Sequence, residues 1–313
     1  MANEIPISPG NNRKVIIAGG SGQIGRHLAI HLNSEGYQPV CLSRHAPAPS
    51  LPYASWHHWD PMNGKIDEHA LIDAHAIINL AGESVAGGRW TAEKKRRIID
   101  SRVSSHLTLL NEVQSKGQTL PVYIGASATG YYGSDTSDHI FSEEDPPGED
   151  FLADCCKQWE TAALDRVSVV NRMVLLRTGI VLADDGGALA KMAGPVRWGI
   201  GSRLGTGEQF LPWIHIRDIC RMYQKAIENT SMQGIWNAVA PNPVTQIELT
   251  RTLASVLHRP LFLPPVPAWL LKLVLGEMAE IITNGSRVSA EKWKSVNFSF
   301  RFPTLRPALE DLI

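Results

Sequence analysis

The chain has 313 residues, of which 43% are apolar and 19% charged. That is enough apolar surface for a substantial core, which excludes a disordered or fibrous protein. Thirty lysines and arginines against 31 aspartates and glutamates leave a formal charge of −1, which excludes the strongly basic surface typical of nucleic-acid-binding proteins. No uninterrupted apolar run reaches the roughly 18 residues that a membrane span needs, so we predict no membrane partner.

The four cysteines are Cys41, Cys155, Cys156 and Cys220. No pair has C-x-x-C spacing, so a zinc knuckle or a disulfide framework is not indicated. We therefore predict reduced, buried thiols in a cytoplasmic protein. The segment Trp56-His-His-Trp59 does not indicate a metal site either, because adjacent side chains on a strand point to opposite faces.

The first half of the chain alternates short apolar runs with amphipathic stretches. Lys14–Ala18 is a continuous apolar run, typical of a strand buried on both faces. The next segment, 24–35, carries apolar residues at helical spacing. Further strands are predicted at Gln38–Leu42, Ala54–Trp59, Ala76–Leu80, Pro121–Ala126 and Ser168–Leu176, with a long helix at about Thr91–Lys116. This alternation predicts an α/β fold, a doubly wound parallel sheet with helices on both faces.

Residues 19–25 read Gly-Gly-Ser-Gly-Gln-Ile-Gly and contain G-x-G-x-x-G between a predicted strand and a predicted helix. The early glycines permit a tight turn, Gly22 lets the backbone approach a pyrophosphate, and Gly25 lets the helix pack close to the sheet. The helix N-terminus adds free N–H groups. The alternative is a plain strand–helix turn without a nucleotide. We predict a dinucleotide-binding Rossmann turn formed by Gly19, Gly20, Ser21, Gly22, Gln23, Ile24 and Gly25.

The end of the second strand indicates which dinucleotide is bound. An NAD-binding turn carries Asp or Glu about 20 residues beyond the glycines, where it meets the ribose 2′-hydroxyl. This chain has Ser43 and Arg44 instead, 18 and 19 residues after Gly25. A hydroxyl and a guanidinium hold a 2′-phosphate by charge-assisted hydrogen bonds, so we predict NADP(H). The alternative is that Arg44 is a solvated surface residue.

The pattern changes after Gly179, where loops become glycine-rich, and prolines are frequent from Arg259 onward. Helices are predicted at Arg217–Glu228 and Thr245–Leu257. We predict a smaller C-terminal lobe packed beside the sheet, with a cleft between the two. The predicted boundaries are 13–180 for the NADP-binding Rossmann domain, with 209–240 returning to it, and 181–208 with 241–313 for the substrate-side lobe.

Several short motifs resemble one known family. They are Asn79-Leu-Ala-Gly82, Ala126-Ser-Ala-Thr-Gly-Tyr-Tyr-Gly133, Trp159-Glu160, Leu176-Arg-Thr-Gly-Ile-Val-Leu182 and Pro212-Trp-Ile-His-Ile-Arg-Asp218. With the glycine turn, they resemble the extended short-chain dehydrogenase/reductases, relatives of the sugar-nucleotide epimerases. The chain looks closest to the "epimerase family protein" branch, whose members end in a small domain of unknown function. Leu263–Leu309 resembles that domain.

The resemblance implies a substrate cleft facing the C-terminal lobe and assigns roles by position. Asp60 matches a residue that contacts adenine. Residues 80–82 match the loop under the adenosine ribose and pyrophosphate, and Arg102 matches a cofactor-contacting position on the long helix. Two residues after the sixth strand match positions near the nicotinamide. The further cofactor residues implied are thus Asp60, Leu80, Ala81, Gly82, Arg102, Thr178 and Gly179.

The catalytic pair of this superfamily is absent. Its members use Tyr-x-x-x-Lys on one helix, in which the tyrosine moves the substrate proton. None of the six tyrosines here is followed by lysine four residues later. Aligning the helix on Glu160 puts Leu152 and Cys156 at the two positions, and aligning it on Lys157 puts Ala153 at the tyrosine position.

Other groups remain as acid/base candidates. Ser127 begins the turn after the fifth strand, where its hydroxyl either faces the nicotinamide or only caps the turn. Tyr131 and Tyr132 offer phenols or form a pocket wall. Glu83, after the fourth strand, and Lys157 are the remaining choices.

The sequence leaves two functions open. One is an NADP(H)-dependent oxidoreductase- or epimerase-like enzyme acting on an unidentified small molecule with non-standard acid/base groups. The other is a non-catalytic NADP(H)-binding sensor or an assembly or regulatory protein. The sequence also leaves open whether the protein forms a homodimer.

Overall fold

The computed structural model describes residues 13–117, 119–134 and 137–313. The strands are β1 Lys14–Ala18, β2 Gln38–Ser43, β3 Ser55–Asp60, β4 Lys65–Ile66, β5 Ala76–Asn79, β6 Val122–Ala128, β7 Ile140–Phe141, β8 Met173–Thr178, β9 Ile180–Leu182, β10 Phe210–Leu211, β11 Trp213–His215, β12 Gly234–Ala238, β13 Val244–Thr245 and β14 Arg287–Val288. The helices are α1 Gln23–Ser34, α2 Ala92–Ser115, α3 Phe151–Leu164, α4 Gly187–Arg197, α5 Ile216–Glu228, α6 Gln246–Val256, α7 Ala268–Leu275, α8 Glu280–Thr283 and α9 Leu305–Leu312.

One large sheet organises the molecule, with strand order β12-β8-β6-β5-β1-β2-β3-β4. Its neighbouring strands are parallel except for the last pair, β3 and β4. Strand β1 pairs with β2 on one side and β5 on the other, so the chain changes direction across the sheet at this point. The crevice at such a switch point, beyond the carboxyl ends of the strands, is where doubly wound folds bind ligands. The predicted doubly wound α/β fold is confirmed.

The core explains why the central strands are continuously apolar. In β1, Val15 and Ile17 belong to the same core cluster as Leu28 of α1. The alternate residue Ile16 belongs to a second cluster with Leu109 of α2. Because helices cover both faces of the sheet, nearly all side chains of the central strands are buried and the apolar–polar alternation is lost.

The segment after β9 divides between the sheet and the smaller lobe. Strand β12 joins the edge of the main sheet beside β8, whereas β11 pairs with β9 in a separate two-stranded sheet. The return of a later strand to the sheet agrees with the predicted course of 209–240, and the boundaries themselves stay a prediction. Strand β8 begins at Met173, because Val167–Val169 forms a short 3₁₀ turn.

The C-terminal segment is fastened to α5 by buried polar contacts. Both carboxylate oxygens of Asp218 accept backbone N–H groups, from Arg301 at 2.9 Å and from Phe302 at 2.8 Å. The ring of His215 stacks on Phe302 with 3.8 Å between the ring centroids. His215 and Asp218 therefore hold the C-terminal segment against β11 and α5. Among the described residues, none of the helices combines the length and the apolar composition needed to cross a membrane.

Candidate functional site

The glycines of the turn differ in how closely the protein surrounds them. Gly19 has φ +77°, in the region that favours glycine, and a Cβ there would lie 3.0 Å from the nitrogen of Ala81. A Cβ on Gly25 would lie 2.7 Å from Gly20 Cα, so α1 packs directly on the turn. A Cβ on Gly22 would come within 4 Å of one group alone among the described residues, Gly19 O at 3.2 Å. Gly22 is therefore the least enclosed of these three glycines.

The first turn of α1 supplies unpaired donors to the switch-point crevice. The first hydrogen bond of the helix runs from Arg26 N to Gly22 O at 3.0 Å. The amides of Gln23, Ile24 and Gly25 precede this bond and have no intrahelical acceptor. The first turn carries no acidic residue and the N-cap has no side-chain cap. These free amides and the positive end of the helix dipole fit a pyrophosphate.

Tyr53 fixes the shape of the turn, and sequence reasoning missed it. Its hydroxyl lies 2.7 Å from Gly20 O and 3.0 Å from Gly25 O, so it can donate to either carbonyl. Burial raises the pKa of this phenol above its usual range, so the hydroxyl remains a donor at neutral pH. No motif marks Tyr53, because its role arises only when the loop before β3 folds back onto the turn.

Loop 184–187 also closes on α1. Asp185 accepts hydrogen bonds from Gln23 Nε2 at 2.8 Å and from Arg26 Nη2 at 2.7 Å. His27 Nε2 lies 3.2 Å from the same carboxylate. His27, Asp184 and Asp185 bring three potential metal ligands together, but Asp185 already pairs with Arg26. The hydrogen bonds of Asp185 therefore attach the loop after β9 to α1.

At the end of β2, Ser43 and Arg44 differ in their surroundings. The Ser43 hydroxyl is buried, donates to His45 O at 2.5 Å and accepts from Trp56 Nε1 at 3.0 Å. Arg44 is exposed and makes no hydrogen bond or ion pair with any described residue. The structure thus turns the Ser43 hydroxyl into the protein, contrary to the expectation that both side chains face a 2′-phosphate. The guanidinium of Arg44 is the group that remains available.

Asp60 ends β3 at the same edge of the sheet. Its carboxylate accepts a hydrogen bond from Asn63 Nδ2 at 2.6 Å. That bond, backbone hydrogen bonds and the charge of Arg44 together hold the pKa of Asp60 below its usual range. The carboxylate is half-exposed and ionised, so it can accept a further hydrogen bond from a ligand.

The side chain of Asn79 holds the loop after β5 in place by hydrogen bonds. The Oδ1 atom of this buried residue accepts the amide of Ala81 at 3.1 Å, and its Nδ2 donates to Ser105 Oγ at 2.9 Å. Leu80 and Ala81 are half-buried at the edge of the crevice, and Gly82 is exposed. The predicted cofactor loop is therefore held in one conformation.

Arg102 lies against this loop. Its Nη1 atom donates to Glu83 O at 2.9 Å, and its guanidinium stacks over the Trp159 ring at 4.9 Å. A Cβ on Gly82 would lie 3.1 Å from Arg102 Cζ. The loop needs glycine there because the guanidinium supports it so closely. The direct role that the structure gives Arg102 is to hold the loop, and contact with a cofactor stays a prediction.

Ser127 belongs to a buried network and does not offer a free hydroxyl. It donates to Glu160 Oε1 at 2.7 Å, and Glu160 forms a bidentate pair with Arg177, with Nε–Oε1 and Nη2–Oε2 distances of 2.8 Å. All three residues are at most 4% exposed. This contradicts the interpretation in which Ser127 turns its hydroxyl to the nicotinamide, because the Glu160 carboxylate binds that proton more strongly than a neutral partner would.

Tyr132 is part of the same network. Its hydroxyl donates to Asn237 Oδ1 at 2.6 Å and accepts from Arg177 Nη1 at 3.0 Å. Burial raises the pKa of Tyr132 to about 12, against the lowering effect of Arg177. A buried phenol with two partners is a poor acid or base for a substrate in the crevice. Tyr132 is therefore a structural residue, and its interpretation as an acid/base candidate is wrong.

Glu83 is also occupied. Lys94 Nζ lies 2.5 Å from its Oε1, and Arg97 lies 3.4 Å from the same oxygen. The hydrogen bond from Lys94 lowers the pKa of Glu83, so the carboxylate stays ionised and paired. Of the two roles open to this acid/base candidate, the structure therefore speaks against that of general acid.

Tyr131 keeps a free phenol. It is half-buried, its hydroxyl makes no hydrogen bond within the described ranges, and Arg177 lies 3.4 Å from the ring centroid. On α3, where the family has its tyrosine and lysine, Leu152 packs against Gly130, and burial raises the pKa of the Cys156 thiol. Leucine has no titratable group, and the Cys156 thiol is buried and keeps its proton, so neither residue reproduces the tyrosine and lysine pair.

Thr178 and Gly179 follow β8 at the same edge. The Thr178 hydroxyl donates to Leu176 O at 3.2 Å. A Cβ on Gly179 would lie 2.5 Å from Pro212 O, because β9 and β11 come together immediately after this residue. Both residues are half-buried, and their contact with the nicotinamide stays a prediction.

Comparison with known proteins bears directly on this site. Residues 15–156 match the model of the NAD dependent epimerase/dehydratase family, and residues 266–312 match a domain of unknown function, DUF1731. An epimerase family protein of Mycobacterium bovis is 37% identical over 301 residues, covering 95% of this chain and 97% of the relative. The epimerase family protein YfhF of Bacillus subtilis is 34% identical over 302 residues, covering 96% and 97%.

A solved structure gives the same result. The crystal structure of human epimerase family protein SDR39U1 with NADPH has a TM-score of 0.86 and 29% identity, covering 96% of this chain and 98% of that one. The NADPH in that protein is the dinucleotide that Arg44 predicts here. With the switch-point crevice, the glycine turn and the C-terminal domain in place, the chain belongs to the epimerase family of extended short-chain dehydrogenase/reductases that end in this domain of unknown function.

Proposed function

We propose that this protein binds NADP(H) in the crevice and transfers a hydride between the cofactor and a small molecule. The unpaired amides of Gln23, Ile24 and Gly25 would hold the pyrophosphate, and Arg44 would hold the 2′-phosphate. The observation that carries the NADP(H) assignment is Arg44 at the end of β2, which is exposed and has no partner among the described residues. An NAD site carries a carboxylate at this place. The NADPH bound by the human relative supports the assignment.

NADPH, when bound, would supply a hydride to a carbonyl carbon, and the carbonyl oxygen would then need a proton from the protein. Tyr131 is the proposed donor, because its hydroxyl has no partner among the described residues and its turn, Thr129–Tyr132, directly follows the carboxyl end of β6. The cation beneath its ring holds the phenol in place. The buried pair of Glu160 and Arg177 positions this turn and does not exchange protons with a substrate.

The experiment combines binding with turnover. We expect calorimetric titration to show tighter binding of NADPH than of NADH. Purified protein is then screened for turnover with NADPH and carbonyl compounds. The variant Tyr131→Phe is compared with the control Tyr37→Phe. The hydroxyl of Tyr37 donates to Glu228, far from the crevice. Loss of a positioned acid should slow turnover about 10²–10⁴-fold in Tyr131→Phe alone, with NADPH affinity unchanged. Equal turnover by both variants contradicts the role of Tyr131.

Ordinary UDP-sugars provide a second test. Because Leu152 and Cys156 replace the usual pair, we expect little or no 4-epimerisation of a UDP-hexose even when NADPH is bound. Brisk epimerisation would overturn this.

A second candidate is a non-catalytic NADP(H) sensor or assembly protein. The observation that favours it is that Ser127, Tyr132 and Glu83 all have internal partners. Binding of NADPH without turnover of any carbonyl compound, and without an effect of Tyr131→Phe, would favour this candidate.

A further inference from the structure

Helix α7 presents its apolar side chains to solvent. Trp269, Leu270, Leu273 and Val274 have the i, i+1, i+4, i+5 spacing that places residues on one helix face. They are 67%, 36%, 66% and 60% exposed. The remaining apolar residues of the helix are half-buried on the opposite side. A surface helix normally turns its apolar face to the core, so this face of α7 has no partner within the described chain.

The exposed face continues onto the neighbouring segments. Val266 N donates to Arg203 O at 2.8 Å, and Gly205 N donates to Val266 O at 2.9 Å, so the segment after α4 runs beside the segment before α7. These segments add Trp198 and Phe262, which are 86% and 71% exposed. The exposed apolar residues, called here the α7 surface, are Trp198, Ile200, Phe262, Leu263, Trp269, Leu270, Leu273 and Val274.

Basic residues predominate around the α7 surface. Of the acidic residues next to segments 186–207 and 258–276, Asp185 pairs with Arg26 and Glu277 pairs with Lys95, while Glu208 is exposed. The segments themselves contain no aspartate or glutamate. Their basic residues are Lys191, Arg197, Arg203, Arg259 and Lys272, all of them exposed. Apart from Lys191, which donates to Ala86 O at 3.2 Å, none of these side chains has a hydrogen bond or ion pair within the described residues. The basic side chains are therefore free to meet an anionic partner.

The shape and charge of the α7 surface decide between partners. Pocket walls bury most of a small ligand, whereas side chains exposed by 60–86% protrude and suit an extended, flat partner. A second copy in a two-fold dimer would bring the same patch against itself. The unpaired arginines and lysines of both copies would then face one another, which is unfavourable.

We propose that the α7 surface is a peripheral docking site for an anionic membrane. Segments that lie in the lipid headgroup region combine exposed tryptophan and leucine with lysine and arginine. Their apolar side chains enter the boundary of the acyl chains, and their cations bind anionic lipids. The protein lies on the bilayer and does not span it, in keeping with the absence of a spanning helix among the described residues. The expectation of no membrane partner considered only uninterrupted apolar runs.

Co-sedimentation with lipid vesicles tests this directly. We expect the full chain to bind vesicles of phosphatidylglycerol and phosphatidylcholine, to bind phosphatidylcholine vesicles weakly, and to detach as salt screens the charges. Arg197→Gln with Lys272→Gln should lower the partition coefficient on anionic vesicles about 25-fold, since each cation near the surface contributes about fivefold. Trp269→Ser with Leu273→Ser should lower it roughly tenfold or more.

Val167→Ser is the matched control, because Val167 is 51% exposed outside the α7 surface and its loss should leave vesicle binding unchanged. Circular dichroism and NADPH titration establish that each variant is folded. No binding to anionic vesicles, or equal binding to both vesicle types, overturns the proposal. A wild-type dimer that Trp269→Ser with Leu273→Ser converts to a monomer, seen by light scattering, identifies a second copy as the occupant and also overturns it.

Discussion

Two regions at the same edge of the sheet use polar groups in opposite ways. The turn after β1 leaves the amides of Gln23, Ile24 and Gly25 without protein acceptors, and nearby Arg44 has no partner among the described residues. A few strands away, Glu160 and Arg177 pair with each other in the interior, and Ser127 and Tyr132 complete their hydrogen bonds. Unsatisfied donors at a crevice indicate a ligand, whereas a closed network indicates a structural role, although both carry motifs of the family.

Gly22→Val should have the largest effect, a loss of NADPH binding in a protein that still folds. A Cβ at this position would lie 3.2 Å from Gly19 O, so that the turn must shift only slightly, but the added side chain would fill the space needed by a pyrophosphate. We expect a folded protein whose NADPH binding is not detectable by calorimetry. Gly194→Val is the control, because a Cβ there meets nothing within 4 Å. Unchanged NADPH affinity in Gly22→Val would disprove the site.

Breaking the buried network of Glu160 and Arg177 should instead reduce the stability of the protein. Arg177→Met leaves Glu160 buried without its counter-charge, which should lower the free energy of unfolding by about 3–5 kcal/mol. Denaturant unfolding measures this, with Arg44→Met as the exposed control, expected to change stability by at most about 0.5 kcal/mol. Equal losses in the two variants would remove the distinction between the regions.

Arg44→Ala tests whether the free guanidinium near the glycine turn selects NADPH over NADH. A charge-assisted contact contributes roughly 1.5–3 kcal/mol, so NADPH affinity should fall about 10- to 150-fold while NADH affinity barely moves. Calorimetry with both dinucleotides checks this. Equal binding of NADPH and NADH by the unmodified protein would show that Arg44 does not select the 2′-phosphate.

Ser127→Ala distinguishes the two interpretations of that hydroxyl. Since its hydrogen bond goes to a buried carboxylate, we expect the free energy of unfolding to fall by roughly 1.5–3 kcal/mol with NADPH affinity unchanged. An intact stability with weakened NADPH binding would instead return Ser127 to the cofactor site.

The smallest effect should come from Asp185, which ties loop 184–187 to α1. Burial by itself raises its pKa, but hydrogen bonds from Arg26, Gln23 and His27 outweigh this and lower the pKa to about 2. The carboxylate thus stabilises the folded state above its unfolded pKa of about 4, and this contribution is lost as pH falls towards 2.

Because the Asp185 side chain is 33% exposed, solvent screening limits its contribution to less than about 1 kcal/mol. Asp185→Asn should lower unfolding stability by that amount at neutral pH and match the unmodified protein near pH 2. Asp165→Asn, at an exposed carboxylate, is the control. A difference that persists near pH 2 would contradict the ionic origin.

The sequence predicted the sheet and the glycine turn well, because both depend on local patterns. Lys14–Ala18 is apolar at every position that helices cover, and the glycines follow it immediately. The partners of Ser127 could not be predicted, since Glu160 and Arg177 are 33 and 50 residues further along the chain and meet only when α3 packs against β6 and β8. The exposed face of α7 was missed for a similar reason, because composition does not show which apolar residues find a partner.

The hydroxyl of Tyr53 has a consequence for ligand affinity. By reaching the carbonyls of Gly20 and Gly25, it keeps the turn rigid before any dinucleotide arrives. The conformational entropy of the loop is then lost during folding and not during binding, so more of the contact energy remains as affinity. A side chain that need never touch the ligand thereby contributes to how tightly the ligand is held.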